Sequence, residues 1–234
     1  MNCNGQARLK LAGIVIAAID REVRMLRKIM LGVAMLVLAA GVTADDKPVF
    51  EAGVHYAEIS KSVPTRSADK VEVVSVFGYL CPHCNNFEPM LQAWEKNLTD
   101  DIDYHHIPVV FSRNWAPLAR GYYVADMKGL VNETHQAMFD AVHMQNRRFN
   151  DENDLAAFYS GYGIEPEEFK KLYNSFAVDT KLNQGMAKVQ SFEVTGVPSM
   201  VVNGKYRVTA SMAGGSAQML QVVNYLIEKE INSN

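Results

Sequence analysis

The residues of this chain best suited to chemistry are two cysteines three positions apart, Cys81 and Cys84, with Pro82 and His83 between them. Such a pair can pass between a dithiol and a disulfide, so its spacing indicates thiol–disulfide exchange. Half of a zinc site is a second interpretation, but zinc needs four ligands and the sequence holds no second Cys-x-x-Cys pair. A purely structural disulfide is a third, although so short a loop constrains the unfolded chain little. The spacing therefore favours a redox centre.

The elements around the pair predict where its sulfurs lie. A β-branched run, Val71 to Val76, precedes it and helical periodicity follows it. With Cys81 as the N-cap, Pro82 takes the first helical position, where its missing N–H costs nothing. The helix N-terminus and His83 both favour a thiolate, so we expect the pKa of Cys81 to lie below that of a free thiol. Cys84 lies one turn deeper, which makes Cys81 the attacking sulfur and Cys84 the resolving one.

Composition indicates an ordinary globular protein of 234 residues, of which 48% are hydrophobic and 21% charged. The net charge of −3 gives no basic field, so we expect no nucleic-acid partner. We also expect no metal, no cofactor and a monomeric chain.

Residues 1–44 are predicted to be a targeting leader. Basic residues precede an apolar run, Ile29 to Ala40, and small residues end at Ala44, where we expect cleavage. A membrane anchor is the alternative, but these twelve residues fall short of the roughly 20 that a span needs. Met25 is the more natural start residue.

Removal of the leader also changes the cysteine count. Cys3 is lost with it, and only Cys81 and Cys84 remain. An even count with no other thiol suits an oxidising compartment, so the sequence predicts an exported protein.

Strand and helix periodicities alternate around the cysteine pair. Lys70 to Tyr79 predicts a central strand covered on both faces, because nearly every residue is apolar. Phe87 to Leu98 continues a helix, and Ile102 to Val110 predicts the next strand. This order is typical of a right-handed parallel unit and indicates an α/β protein. Val54 to Ile59 predicts an edge strand.

Between residues 112 and 190 the apolar positions recur at helical spacing, which predicts a helical insertion. Beyond it, Ser199 to Val202 and Tyr206 to Thr209 predict a hairpin with a two-residue turn, Asn203-Gly204. A final helix is expected from about Gly215 to Glu230.

Three stretches match a known family: Cys-Pro-His-Cys from Cys81 with Phe87-Glu88 after it, Gly196 to Pro198, and Val202 to Tyr206. Together they resemble the DsbA family of periplasmic thiol:disulfide interchange proteins. Thioredoxins usually carry Cys-Gly-Pro-Cys and disulfide isomerases Cys-Gly-His-Cys, so the dipeptide between the cysteines is specific. The resemblance covers residues 45–234 and implies a thioredoxin fold with an inserted helical domain. The predicted parts are residues 45–111 with 191–234, and the insertion 112–190.

The resemblance also implies a substrate platform. In the family, the proline that matches Pro198 is cis and lies against the redox pair, and the preceding residue pairs with an extended substrate. Carried over, Val197 and Pro198 bind substrate, which agrees with strand addition to an exposed backbone.

The sequence departs from the family pattern near Cys84. Family members commonly hold a buried acid six residues before the first cysteine, where this chain has Ser75, and Asp103 replaces a lysine often found nearby. Glu72 cannot replace that acid, because strand positions three apart face opposite sides. We therefore expect Glu88, four residues after Cys84, to relay protons to it; a solvated Glu88 is the alternative.

The resemblance implies a protein dithiol oxidase that donates its disulfide to newly exported, unfolded proteins and is reoxidised by a DsbB-like, quinone-linked membrane oxidase. A disulfide reductase or isomerase is an alternative, as is a peptide-binding chaperone with a structural disulfide. Of the histidines, we expect one of His105 and His106 to be exposed and the other packed, and His55, His135 and His143 to lie at the surface.

Overall fold

A five-stranded sheet forms the centre of the protein. In the computed structural model, which describes residues 49–233, the strands pair in the order β1-β5-β4-β2-β3. They are β1 (Ala57–Glu58), β2 (Val71–Phe77), β3 (Ile102–Pro108), β4 (Ser199–Val202) and β5 (Tyr206–Thr209). β2 is buried at every residue and pairs parallel with β3 and antiparallel with β4, which confirms the predicted central strand. The predicted leader lies outside the described residues.

Helices cover both faces of this sheet. In chain order they are α1 (Pro82–Glu95), α2 (Ala116–Lys128), α3 (Val131–His143), α4 (Glu152–Tyr159), α5 (Pro166–Tyr173), α6 (Phe176–Ser191), α7 (Ala210–Ala213) and α8 (Ser216–Ile231). Five of them, α2 to α6, fall between β3 and β4, where the sequence predicts a helical insertion. Within residues 49–233, none of these helices has the length and apolar character needed to cross a bilayer.

The first strand is much shorter than predicted. The N–H of Gly53 donates to the carbonyl of Tyr56 at 2.7 Å, so residues 51–56 are taken up by a turn. Only Ala57 and Glu58 remain to pair with β5. The predicted edge strand from Val54 to Ile59 is therefore wrong over most of its length.

The hairpin between β4 and β5 keeps the predicted turn residues but has a different register. Asn203 and Gly204 have φ values of 51° and 61°, and the N–H of Lys205 donates to the carbonyl of Val202 at 3.0 Å. Val202 pairs with Tyr206, so Lys205 is an extra residue and the loop has three residues. A Cβ on Gly204 would lie 2.0 Å from the carbonyl oxygen of Val63, so this approach requires glycine.

The core around the cysteine pair is shared between the sheet and the helices that follow β3. Phe77 and Tyr79 join both cysteines in one buried cluster with side chains of α2 to α6. Gly78 permits a close contact with Trp115, since a Cβ there would lie 2.1 Å from the tryptophan ring. The described residues from Phe50 onward pack as one compact unit. The division into residues 45–111 with 191–234 and an insertion 112–190 stays a prediction.

Candidate active site

The cysteine pair lies at the start of α1, immediately after the end of β2. Cys81 is the N-cap, with extended backbone angles (φ −88°, ψ 114°), and Pro82 is the first helical residue, as predicted. The N–H of Cys84 donates to the sulfur of Cys81 at 3.4 Å. Cys81 is 7% exposed and Cys84 only 2%, while Pro82 and His83 are exposed. The sulfur of Cys81 is therefore the more accessible of the two.

Hydrogen bonds to the sulfur lower the pKa of Cys81 to about 6, from an ordinary value of 9.0. The largest cause is the thiol of Cys84, which donates to the Cys81 thiolate; the backbone N–H groups of Cys84 and His83 add to it. Burial opposes the shift, and the charge of His83 is the smallest of the contributions. The predicted direction is right, but the partner cysteine contributes more to the pKa shift than the histidine does.

The pKa of Cys84 moves in the opposite direction. It is raised because its thiol donates to Cys81, because the sulfur is buried, and because the negative charges of Cys81 and Glu88 lie nearby. At neutral pH the pair therefore holds one thiolate, on Cys81, and one thiol, on Cys84. A thiolate at the more accessible position can act as nucleophile or leaving group.

The loop before β4 reaches the same sulfur from a distant part of the sequence. The sulfur of Cys81 lies 3.5 Å from the carbonyl oxygen of Val197, 116 residues away. The Val197–Pro198 peptide bond is cis, in agreement with the family resemblance. Val197 and Pro198 are both partly exposed. Backbone groups of this loop therefore lie beside the reactive sulfur and are open to solvent in part.

A groove lies next to the cysteine pair. It has a volume of about 400 Å³, and its wall includes Leu80, which directly precedes Cys81, and Leu118 and Phe149 from the helical region. Arg147 and Arg148 also line it.

Glu88 is buried beneath the pair and is not the solvated helix residue considered as the alternative. Its side chain is 4% exposed, Gln92 donates to its Oε1 at 3.1 Å, and its Oε2 lies 3.4 Å from Nε2 of His135. The partner histidine comes from α3 and is equally buried, so the expectation of a surface His135 is wrong. The reason is that α3 packs against α1 and turns the face with His135, Met138 and Phe139 inward.

The positions where the sequence departs from the family lie on both sides of β2. Ser75 is 2% exposed, and its hydroxyl lies near that of Tyr104. Glu72 faces the other side of the sheet, as its place on the strand predicts, and accepts from Lys188 at 3.0 Å. Asp103 is bound by Arg66 at 2.5 Å. None of these three carboxyl and hydroxyl groups stands in for an acid next to Cys84.

The two adjacent histidines of β3 are both largely buried, so the expectation of one exposed histidine is wrong. Helices cover both faces of β3, and burial lowers the pKa of His105 to about 3 and that of His106 well below its usual value. One ligand atom each from His105, Glu72 and Asp103 lie within 4.8 Å of one another. Arg66 and Lys188 already neutralise these carboxylates, so the cluster is a set of ion pairs.

Known proteins share this arrangement over most of the chain. A family model described as a DSBA-like thioredoxin domain matches residues 99–226. The thiol:disulfide interchange protein DsbA of Pseudomonas syringae pv. tomato is 35% identical over 206 residues, which cover 88% of this chain and 96% of that protein. The chain belongs to the DsbA-like thioredoxin family. The DsbA of Pseudomonas aeruginosa strain PAO1 is 36% identical over 201 residues, or 84% of this chain and 94% of that protein.

Solved structures of DsbA proteins agree with this assignment. The crystal structure of Pseudomonas aeruginosa DsbA superposes with a TM-score of 0.75 at 36% identity, covering 81% of this chain and 97% of that one. DsbA from Xylella fastidiosa gives a TM-score of 0.74 at 36% identity, covering 80% of this chain and 99% of that one. The thioredoxin fold is thereby confirmed, and this DsbA-family chain is a thiol–disulfide oxidoreductase.

Sequence reasoning missed His135 in this DsbA-family site. A signal was present, because Met138 and Phe139 follow His135 by three and four residues and therefore share its helix face. A histidine on an apolar face points into the protein, where it needs a partner. Nothing in the local sequence identifies Glu88 as that partner, since the two residues lie on different helices.

Proposed function

We propose that the disulfide form of this chain oxidises pairs of cysteines in unfolded proteins exported to the periplasm. The observation that carries the proposal is the opposed shift of the two thiol pKa values. A thiolate favoured on Cys81 stabilises the dithiol form, so the disulfide form gives up its bond readily to other thiols. A structural disulfide has the opposite balance.

The first step would be attack by a substrate thiolate on the sulfur of Cys81. The bond between Cys81 and Cys84 breaks, a mixed disulfide forms between Cys81 and the substrate, and Cys84 leaves with the electron pair and takes up a proton. We propose that Glu88 relays this proton, because it is buried one helical turn from Cys84 and its charge acts on that thiol.

The second step would complete the two-electron transfer. A second substrate thiolate attacks the substrate sulfur of the mixed disulfide, and Cys81 leaves as a thiolate. The substrate gains a disulfide and loses two electrons, and the protein becomes a dithiol with one proton on Cys84. Pro82 and His83 support this step by starting the helix and by adding positive charge near the leaving sulfur.

We assign substrate binding to Val197 and Pro198. The Val197 carbonyl lies 3.5 Å from the Cys81 sulfur, so a peptide strand that pairs with this backbone has its cysteine next to the reactive bond. The groove formed by Leu80, Leu118 and Phe149 would take neighbouring apolar side chains. Because backbone pairing is independent of side chains, the site suits many unfolded sequences.

Renewed oxidation needs an electron acceptor, and we propose a DsbB-like, quinone-linked membrane oxidase for that role. The predicted leader would direct the chain to the periplasm, where such a partner has access to it. The proposed arrangement is a thioredoxin-like part, residues 45–111 with 191–234, and a helical insertion, 112–190, that supplies one wall of the groove.

Equilibration with glutathione tests the proposal. The protein is incubated in buffers of graded ratio of reduced to oxidised glutathione, free thiols are alkylated, and the alkylated fraction is measured by mass spectrometry. An oxidase becomes reduced in mildly oxidising buffers, whereas a reductase or a structural disulfide stays oxidised until the buffer is strongly reducing. A second assay uses a peptide with two free cysteines as the substrate, which the oxidised protein should convert to the disulfide form. The control is a variant with serine at both Cys81 and Cys84, which should leave this peptide unoxidised.

A further inference from the structure

A second opening lies along the C-terminal half of the redox helix and shares no lining residue with the substrate groove. It is a cavity of about 380 Å³, named here the rear cavity, whose wall includes Glu88, Glu95, Lys96, Asn132 and His135. Lys96 and Asn132 are exposed, so the rear cavity reaches the surface. It is large and polar enough to hold several water molecules.

His135 lines the rear cavity beside Glu88, and one of its ring nitrogens has no hydrogen-bond partner among the described residues. Its Nδ1 lies 2.8 Å from the hydroxyl of Tyr79. Its Nε2 lies 3.4 Å from Glu88 but outside hydrogen-bond geometry, and it has no hydrogen-bond partner among the described residues. A buried polar atom without a partner is uncommon, and a water molecule in the rear cavity could bridge Nε2 and the carboxylate.

Tyr79 holds His135 in place through the hydrogen bond to its Nδ1. A hydroxyl group can donate to a neutral imidazole nitrogen and accept from a protonated one. The tyrosine is itself held in place, because Nε2 of His143 donates to its backbone carbonyl at 2.7 Å. Burial raises the pKa of the Tyr79 hydroxyl well above its usual value, so the tyrosine stays neutral throughout.

Other titratable groups also face Glu88 and His135. The pKa of Glu95, on α1, is raised by burial and then by the charge of Glu88, while His135 opposes the shift. From β3, the His106 ring centroid lies 4.5 Å from that of His135, and Tyr104 feels the charge of Glu88. Tyr122 of α2 packs edge-on at 6.0 Å. Burial therefore keeps His106 and the two tyrosines neutral.

The substrate would block the other route. Cys84 is 2% exposed, and it needs a proton at the moment when a substrate sulfur is attached to Cys81 above it. We infer that His135 is a positioning residue that holds Glu88 at the rear cavity, so that the proton of Cys84 enters and leaves through this cavity and not from the substrate side. The inference rests on the proposed function, in which Glu88 relays that proton.

The step to measure is the attack of Cys84 on a mixed disulfide at Cys81, which requires Cys84 to lose its proton. Reduced protein is mixed rapidly with a large excess of oxidised glutathione, and acid-quenched samples are analysed by mass spectrometry. The Cys81 thiolate displaces one glutathione and forms the mixed disulfide. Cys84 then displaces the second glutathione, and this closing step is followed from pH 5 to pH 8.

His135→Gln should slow the closing step about 10-fold at pH 6 and move its rise to higher pH, while the attack by Cys81 changes less than about twofold. Glu88→Gln should give the same result, and the double variant should be no slower than the slower single variant, because both residues serve one route. A general structural defect would slow both steps.

A surface variant tests the cavity without touching either residue of the pair. Asn132→Trp would fill the mouth of the rear cavity and should slow the closing step as His135→Gln does; Glu133→Trp, on the neighbouring exposed position, should not. If Glu88→Gln is slow but His135→Gln or Asn132→Trp closes at the wild-type rate, the rear route is wrong and the Glu88 relay stands. If Glu88→Gln also closes at the wild-type rate across the pH range, the relay is wrong as well.

Discussion

Raising the pH should stabilise the reduced protein relative to the oxidised protein, because folding favours the thiolate of Cys81. The pKa of this thiol is about 6 in the folded chain, against an ordinary value of 9.0. A group whose pKa is lowered by folding binds fewer protons in the folded state, so its contribution to stability grows as the pH rises. That contribution is complete above the unfolded pKa of 9.0 and is lost as the pH falls through about 6.

The size of the effect follows from the two pKa values. The linkage relation gives about 1.4 kcal/mol at pH 7, about 2.7 kcal/mol at pH 8 and less than about 0.1 kcal/mol at pH 5. Cys84 adds little in this range, because its pKa is raised and the thiol stays protonated in the folded and the unfolded chain. Through the thermodynamic cycle, the contribution at pH 7 makes the disulfide more oxidising by about 30 mV.

Urea melts of both redox forms measure this directly. The free energy of unfolding of the reduced form minus that of the oxidised form should rise by about 2.6 kcal/mol between pH 5 and pH 8. The oxidised protein is the matched control, since it has every other titratable group and lacks only the two thiols. A difference that stays flat, or that falls with pH, would refute the assignment of a stabilised thiolate to Cys81.

Three further predictions concern the same site and its support. Cys84→Ala should raise the pKa of Cys81, measured by pH-dependent alkylation, by about 1–2 units, and His83→Ala should raise it by less, because the thiol of Cys84 is the larger cause of the shift. Cys84→Ser should trap mixed disulfides with exported proteins, detected as adducts on non-reducing gels, whereas Cys81→Ser should form none and lose oxidase activity. Gly78→Ala should destabilise the fold by about 1–3 kcal/mol in urea melts, because the new Cβ collides with the ring of Trp115.

Each of these has a result that would contradict it. A larger pKa shift in His83→Ala than in Cys84→Ala would reverse the order of causes at the Cys81 sulfur. An absence of adducts in Cys84→Ser would reverse the roles of the two cysteines. Gly161→Ala is the control for Gly78→Ala, since a Cβ there meets no atom within 4 Å, and equal stabilities of the two variants would show that Trp115 moves aside without cost.

The amino-acid sequence determined the features that depend on neighbours along the chain. Cys81 as N-cap, Pro82 at the first helical position and the depth of Cys84 follow from helix geometry over four residues. The turn at Asn203-Gly204 follows from the preference of these residues for positive φ. Such features involve a few backbone angles and few distant contacts, so local residue types suffice to predict them.

Tertiary structure alone decided the features that depend on packing between elements. The contact of Cys81 with the Val197 carbonyl joins residues 116 positions apart, and the approach of α3 to α1 turns His135 onto Glu88. The burial of both histidines of β3 likewise depends on which helices cover each face of the sheet. These arrangements are set by how whole helices pack, because a buried polar group must find its partner among the surfaces that the fold brings to it. Local residue types do not specify which partner a buried polar group finds, because the partner comes into contact only when the chain folds.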